Sequence, residues 1–161
     1  MKRISLGGSC HWCTEAIFQS LKGVSKVLQG WIASTDENNS FSEAVIIEYD
    51  ATKISLKTII EVHLHTHSCT ANHSFRKKYR SAVYYDDDEQ KQEIIEIIQE
   101  LQNDFEKTII TQVLPSQSFK LNIEEKLNYF KKNPEKPFCK NFINPKLNKI
   151  KILFRDKIND N

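Results

Sequence analysis

Two thiols, an imidazole, an indole and a carboxylate fall in one short stretch, Gly7-Gly8-Ser9-Cys10-His11-Trp12-Cys13-Thr14-Glu15. Cys10 stands where a strand pattern (Ile4, Leu6) gives way to an amphipathic helix pattern, with Cys13, Ile17 and Leu21 at i, i+4 and i+8. Gly7 and Gly8 allow the tight corner between the two. A thiol at a helix start meets unpaired backbone N–H groups and the positive end of the helix dipole, which lower its pKa and favour the nucleophilic thiolate. Trp12 supplies an aromatic wall beside it. The bland alternative is a small buried residue closing the corner. Cys10-His11-Trp12-Cys13 is also a C-x-x-C, which suggests dithiol redox chemistry, while Cys13 shares the face of Ile17 and reads equally well as core.

Glu43 is a second candidate. Val45, Ile47 and Tyr49 are apolar at alternate positions, so period 2 puts Glu43 on their side of a strand. A desolvated carboxyl there has a raised pKa and can donate a proton near neutral pH, the alternative being a solvated edge carboxylate. His63, His65, His67, Cys69 and His73 form a cluster, with His63 and His67 at a helical spacing that can share one metal. No finger-type spacing accompanies them, so solvated or singly hydrogen-bonded histidines are expected and no metal site. A zinc-binding, non-enzymatic module using Cys10, Cys13 and these histidines is the alternative from another class.

The elements that must position these groups follow from pattern. Strands are expected around Ile4 and Leu6, over Val24 to Ala33, Ser42 to Asp50 and Ser81 to Tyr85. One helix follows Cys10. Another, N-capped by Ser55, carries Leu56, Ile60 and Leu64. Ser34 to Ser40 reads as a polar turn and His67 to Lys78 as irregular. The order β-α-β-β-α-β is the split, ferredoxin-like α/β arrangement, a two-layer sandwich with both helices on one face of the sheet. Asp86-Asp87-Asp88-Glu89 opens a third helix with Ile94, Ile98, Leu101 and Phe105 on one face; acids in a first turn complement the dipole, so this run is a helix start and no metal site. An edge strand over Ile109 to Leu114, a helix over Ile123 to Lys132 and a Lys-rich helix over Pro145 to Phe154 complete the chain.

With 161 residues and a net charge of +2, the chain fits one domain, 1–161, with a core that needs no disulfide staples. The charge gives no reason to expect nucleic acid or an anionic membrane as partner. Lys140, Lys146, Lys149 and Lys151 read as a solvated helix face. There is no signal-peptide pattern and no apolar run of membrane-spanning length, so a cytoplasmic monomer is expected. In that compartment four cysteines are catalytic, metal-binding or core residues.

The opening stretch resembles the A-type peptide methionine sulfoxide reductases, in which Gly-Cys-Phe-Trp precedes a helix and a Glu follows three residues after the Trp. Here it stands as Ser9-Cys10-His11-Trp12 with Glu15 in register. Leu21-Lys22-Gly23-Val24, Gly30-Trp31, Glu43 before an apolar strand, Tyr79-Arg80-Ser81-Ala82, and Asn133-Pro134 leading to Phe138-Cys139 continue the likeness, which runs from about Leu6 to Leu147. It implies a ferredoxin-like core and reduction of methionine sulfoxide, as the S epimer, free or in oxidised proteins. It also implies no bound cofactor, with thioredoxin (or dithiothreitol) as reductant. By position, Cys10 is the nucleophile, Trp12 packs on the substrate methyl with residue 11 as a further wall, Glu43 donates a proton to the sulfoxide oxygen and Tyr79 hydrogen-bonds it. A second cysteine then condenses with the sulfenic acid. Cys139, in a Pro-rich tail expected to be mobile, is the preferred resolver and Cys13 the second. A general C-x-x-C thiol–disulfide oxidoreductase is the alternative enzyme. Three departures stand out: His11 replaces the family's Phe, the loop over Ser34 to Ser40 lacks the family's second Tyr, and no Asp stands in Asn72-His73-Ser74-Phe75-Arg76.

Overall fold

The computed structural model describes residues 1–159. Strands β1 (Lys2–Gly7), β2 (Val24–Ala33), β3 (Ser42–Tyr49) and β4 (Ala82–Tyr85) alternate with helices α1 (His11–Gln19) and α2 (Leu56–His65) in the expected order. They form the antiparallel centre of one six-stranded sheet. Its order is β5-β4-β1-β3-β2-β6, where β5 (Gln112–Pro115) runs parallel to β4 and β6 (Ser118–Leu121) antiparallel to β2. The expected caps are made. Ser55 accepts the Thr58 N–H at 3.1 Å, and Asp87 accepts the Gln90 N–H at 2.8 Å to start α3 (Asp88–Leu101).

The main core lies between one face of the sheet and α1, α2 and α3, with Ile4, Leu6, Val45 and Ile47 meeting Phe18, Ile60 and Ile94. Alternation along β3 holds as read, and Glu43, Val45, Ile47 and Tyr49 are all buried. The other face carries a smaller cluster of Ile32, Ala44, Ala82 and Tyr84, backed by Leu114 and Phe119. No helix among the described residues is long and apolar enough to cross a membrane.

Two expectations are corrected. The helix α3 ends at Leu101 in a 3-10 turn, Gln102–Asp104, so Phe105 is not on it, and its buried face is Ile94, Ile97 and Leu101, with Ile98 only partly covered. Ile123 to Lys132 is not a helix. Ser118-Phe119-Lys120-Leu121 pairs with the edge of β2 and turns Phe119 onto the second face of the sheet. A 3-10 turn (Glu124–Lys126) follows, and Asn128 at φ 55° confines α4 to one turn, Tyr129–Lys132. The terminal helix α5 (Asn144–Leu153) is preceded by a π-helical turn, Cys139–Ile143, that periodicity alone does not disclose.

The histidine cluster is mostly architecture. His63 is 2% exposed and contacts the Gly7 carbonyl through Nε2 at 2.8 Å; His67 contacts the His63 carbonyl through Nδ1 and Ser81 Oγ through Nε2 at 2.7 Å. These rings are thus not solvated. Burial pushes His63 down to about 4 and His67 well below the ordinary histidine value. The unfolded chain therefore takes up protons at a higher pH than the folded one, so stability falls as pH drops from about 6.5 towards about 4. His63 alone should cost about 3 kcal/mol across that window. His63→Gln keeps a donor for Gly7 without the titration, and its melting temperature should fall less steeply on acidification than that of the unsubstituted protein. Parallel curves would refute the assignment.

Candidate active site

Cys10 is the N-cap of α1 (φ −52°, ψ 130°), and its carbonyl accepts the N–H groups of Cys13 at 3.1 Å and Thr14 at 3.2 Å. Its side chain caps nothing. The free N–H of His11 instead donates to Glu43 Oε1 at 3.1 Å, a carboxylate brought in from β3. Both preceding glycines are needed for close approach: a Cβ at Gly7 would lie 2.5 Å from the Glu43 carbonyl, and one at Gly8 2.5 Å from the His67 ring.

The half-buried Cys10 opens on a cleft of about 740 Å³, lined among others by Cys13, Tyr79, Phe75, Phe138 and Lys146. Tyr79 ends an irregular segment that Arg76 clamps in place. The Arg76 guanidinium donates to the carbonyls of Ser68, Ala71 and Tyr79 and, at 2.9 Å, to that of Gly8, next but one to Cys10. Arg76 escaped the sequence reading because such backbone contacts leave no spacing signal.

Cys10 and Cys13 act as one titrating unit. Hydrogen bonding between the thiols raises Cys10, reinforced by burial and by the charges of Cys13 and Glu43 and opposed by the Trp12 N–H. The same bond, against burial, lowers Cys13, helped by Lys146 and opposed by Glu43. The first proton thus leaves the pair easily and the second with difficulty. That corrects the expectation that the helix start lowers the Cys10 thiol: Cys10 is raised, and the lowered thiol of the pair is Cys13. Lys146 had read as part of a solvated face, yet it is half-buried, lowered by that burial, and lines the cleft from α5, which packs on α1.

The structure re-sorts the other candidates. Trp12 does not face the cleft. Its ring stacks on Tyr129 (centroids 3.9 Å apart, 5° between planes) with Phe138 edge-on at 5.4 Å, because the C-terminal segment folds over it. The Glu15 carboxylate fixes that segment by accepting the N–H groups of Asn128 at 2.9 Å and Tyr129 at 3.1 Å. Cys139 is not in an exposed, mobile tail but 0% exposed, packed with Cys13, Ala16, Tyr129 and Ile143. Burial, then the charge of Cys13, raises its thiol, against Lys136. His11 is 5% exposed, and its ring lies between the Gly30 carbonyl (Nδ1, 2.8 Å) and Glu43 Oε1 (Nε2, 3.5 Å) rather than on the cleft wall. Glu43, 6% exposed, is likewise not among the side chains that line the cleft, and its other oxygen lies 3.7 Å from Lys78 Nζ. Among the described residues the thiols join no metal-ligating group; the three side chains that converge in that way are Glu61, His65 and Asp104, of which only His65 comes from the histidine cluster.

Paired thiols at a helix start, set on a ferredoxin-like sheet beside a buried carboxylate, define a thiol-dependent oxidoreductase. A family model described as peptide methionine sulfoxide reductase matches residues 2–158. The MsrA of Pasteurella multocida (strain Pm70) is 36% identical over 163 residues, covering 92% of this chain and 94% of that protein. The MsrA of Psychrobacter sp. (strain PRwf-1) is 34% identical over 171 residues, covering 96% and 97%. The reduced form of Mxr1 from Saccharomyces cerevisiae shares the fold with a TM-score of 0.76 at 22% identity, over 86% of this chain and 88% of its own. The chain belongs to the peptide methionine sulfoxide reductase family.

Removing the Lys146 charge tests its hold on the thiol pair. Lys146→Met should move the onset of Cys13 alkylation by iodoacetamide to higher pH, by up to about one pH unit, with site occupancy read by peptide mass spectrometry. An unmoved profile would leave Lys146 without electrostatic influence.

Proposed function

We propose that this protein reduces methionine sulfoxide, free or in polypeptides, with Cys10 as nucleophile and Cys13 as the first resolving thiol. The observation that carries this is the exposed end of the pair: Cys10 opens on the cleft, and Cys13 lies one turn behind it, within hydrogen-bonding reach. The Cys10 thiolate attacks the substrate sulfur. The S–O bond breaks, oxygen passes to Cys10 as a sulfenic acid with one proton from Glu43, and methionine leaves reduced by two electrons. Tyr79, on the cleft wall, donates a hydrogen bond to the sulfoxide oxygen. Phe75 and Phe138 supply the apolar surface for the substrate side chain, with Trp12 behind Phe138.

Cys13 thiolate then attacks the Cys10 sulfenic acid, which with one further proton releases water and leaves a Cys10–Cys13 disulfide. Cys139, already packed against Cys13, takes Cys13 over by exchange and sets Cys10 free. Proximity and the lowered Cys13 thiol support this order, which reverses the preference drawn from sequence. A dithiol protein of the thioredoxin type closes the cycle; Mxr1, whose fold this chain shares, has been crystallised with Trx2.

Mass spectrometry after one equivalent of methionine sulfoxide, without reductant, should find the Cys10–Cys13 disulfide before Cys13–Cys139. Cys13→Ser should accumulate the sulfenic acid, and Cys10→Ser should lose turnover by several orders of magnitude. A first-formed Cys10–Cys139 disulfide would reverse the order, and turnover in Cys10→Ser within about tenfold of the unsubstituted protein would remove the nucleophile.

A further inference from the structure

The imidazole of His11 stands where the sequence pattern of the family has Phe, and its hydrogen bonding fixes where its protons are. A carbonyl oxygen only accepts, so Nδ1, at 2.8 Å from the Gly30 carbonyl, carries a hydrogen. Nε2 then faces Glu43 Oε1 at 3.5 Å, with the two side chains only 6% and 8% exposed. Neutral imidazole and ionised carboxylate would set lone pair against lone pair where little water can intervene. A proton on either side removes that opposition. The surroundings of Glu43 suit a carboxylate: Oε1 accepts the His11 backbone N–H at 3.1 Å and Oε2 lies 3.7 Å from Lys78 Nζ. The geometry thus leaves one place for a shared proton, between His11 Nε2 and Glu43 Oε1.

We infer that His11 is a positioning residue that stores the proton Glu43 delivers to the sulfoxide oxygen. The inference rests on the function proposed above. As Cys10 attacks and negative charge grows on the sulfoxide oxygen, the proton moves from Nε2 to Oε1 and from Glu43 to that oxygen; the pair is left one proton short and Cys10 carries the S–OH. No electron passes through His11. The other charged or titratable groups facing the pair are Lys78 from the segment before β4, the Cys10 and Cys13 thiols from α1, and Lys120 of β6, which covers the Trp31 ring that packs edge-on against His11 at 5.1 Å.

The test is single-turnover sulfenic acid formation, trapped with dimedone, between about pH 5 and about pH 9 in four proteins: unsubstituted, His11→Gln, Glu43→Gln and the double variant. His11→Gln keeps an amide donor for Gly30 and loses the stored proton. Its rate should begin to fall at lower pH than that of the unsubstituted protein and be at least about tenfold lower at about pH 8, the scale of a general acid's contribution. In the Glu43→Gln background the same change should add nothing, because His11 acts only through Glu43. His11→Phe, which restores the family residue and so guards against a folding defect, should show the same early fall. A pH profile of His11→Gln that overlays the unsubstituted one, or losses that multiply in the double variant, would overturn the inference. Absence of sulfenic acid in the unsubstituted protein would instead strike the proposed function itself.

Discussion

The hydrogen bond from the His11 backbone N–H to Glu43 is the contact on which the rest of the site depends. A helix that starts at a cysteine has no side-chain acceptor of its own for its first N–H groups. Here the acceptor comes from a strand 32 residues away in sequence, which ties the nucleophile's helix and the acid's strand into one unit. A buried hydrogen bond to a charged acceptor contributes about 1.5–3 kcal/mol, enough to fix the helix start. The bond exists only in one register of the sheet. Leu6 pairs with Val45, so β3 runs two residues further to present Glu43 beside the corner, and a slip of one residue would turn its side chain to the other face.

A second carboxylate, this one on α1 itself, organises the other side of the site. Glu15, 1% exposed, meets two consecutive N–H groups at Asn128 and Tyr129, the point where the chain turns back over α1. That anchor brings Tyr129 onto Trp12 and, through the π-helical turn, Cys139 against Cys13. Trp12 thus supports the C-terminal segment, and through it the wall of the cleft. Its Nε1 has no hydrogen-bond partner among the described residues, so the stacking comes at the cost of an unpaired polar atom.

What was legible in the sequence was what local pattern encodes. Period 2 in Val45, Ile47 and Tyr49 located β3 and put Glu43 on its buried side; Ser55 and the acidic run at Asp87 announced α2 and α3 by their capping chemistry. Past Phe105 the edge strand β5 and the terminal helix α5 were legible with shifted bounds, but β6 was not, because it is short and owes its existence to pairing with β2 far away in the chain. The site divided along the same line. Position brought Cys10, Glu43 and Tyr79 forward as candidates and Glu15 as part of the motif, whereas Lys146 and Arg76 act through tertiary contacts that leave no spacing signal. Cys139 was misjudged because proline-rich composition says nothing about what folds over it.

The separation of the two cysteines by one helical turn has an electrostatic consequence beyond proximity. An isolated thiolate at Cys10 would sit near the carboxylate of Glu43, which opposes it. Sharing a proton with Cys13 spreads the negative charge over two sulfurs, and the second sulfur lies nearer the influence of Lys146, which favours it. The pair can therefore hold one thiolate beside the Glu43 carboxyl. Placing that charge on Cys10 means moving the shared proton to Cys13, against the direction that the hydrogen bond between the two thiols favours. The arrangement thus settles the pair's single negative charge on Cys13, the thiol that Lys146 favours.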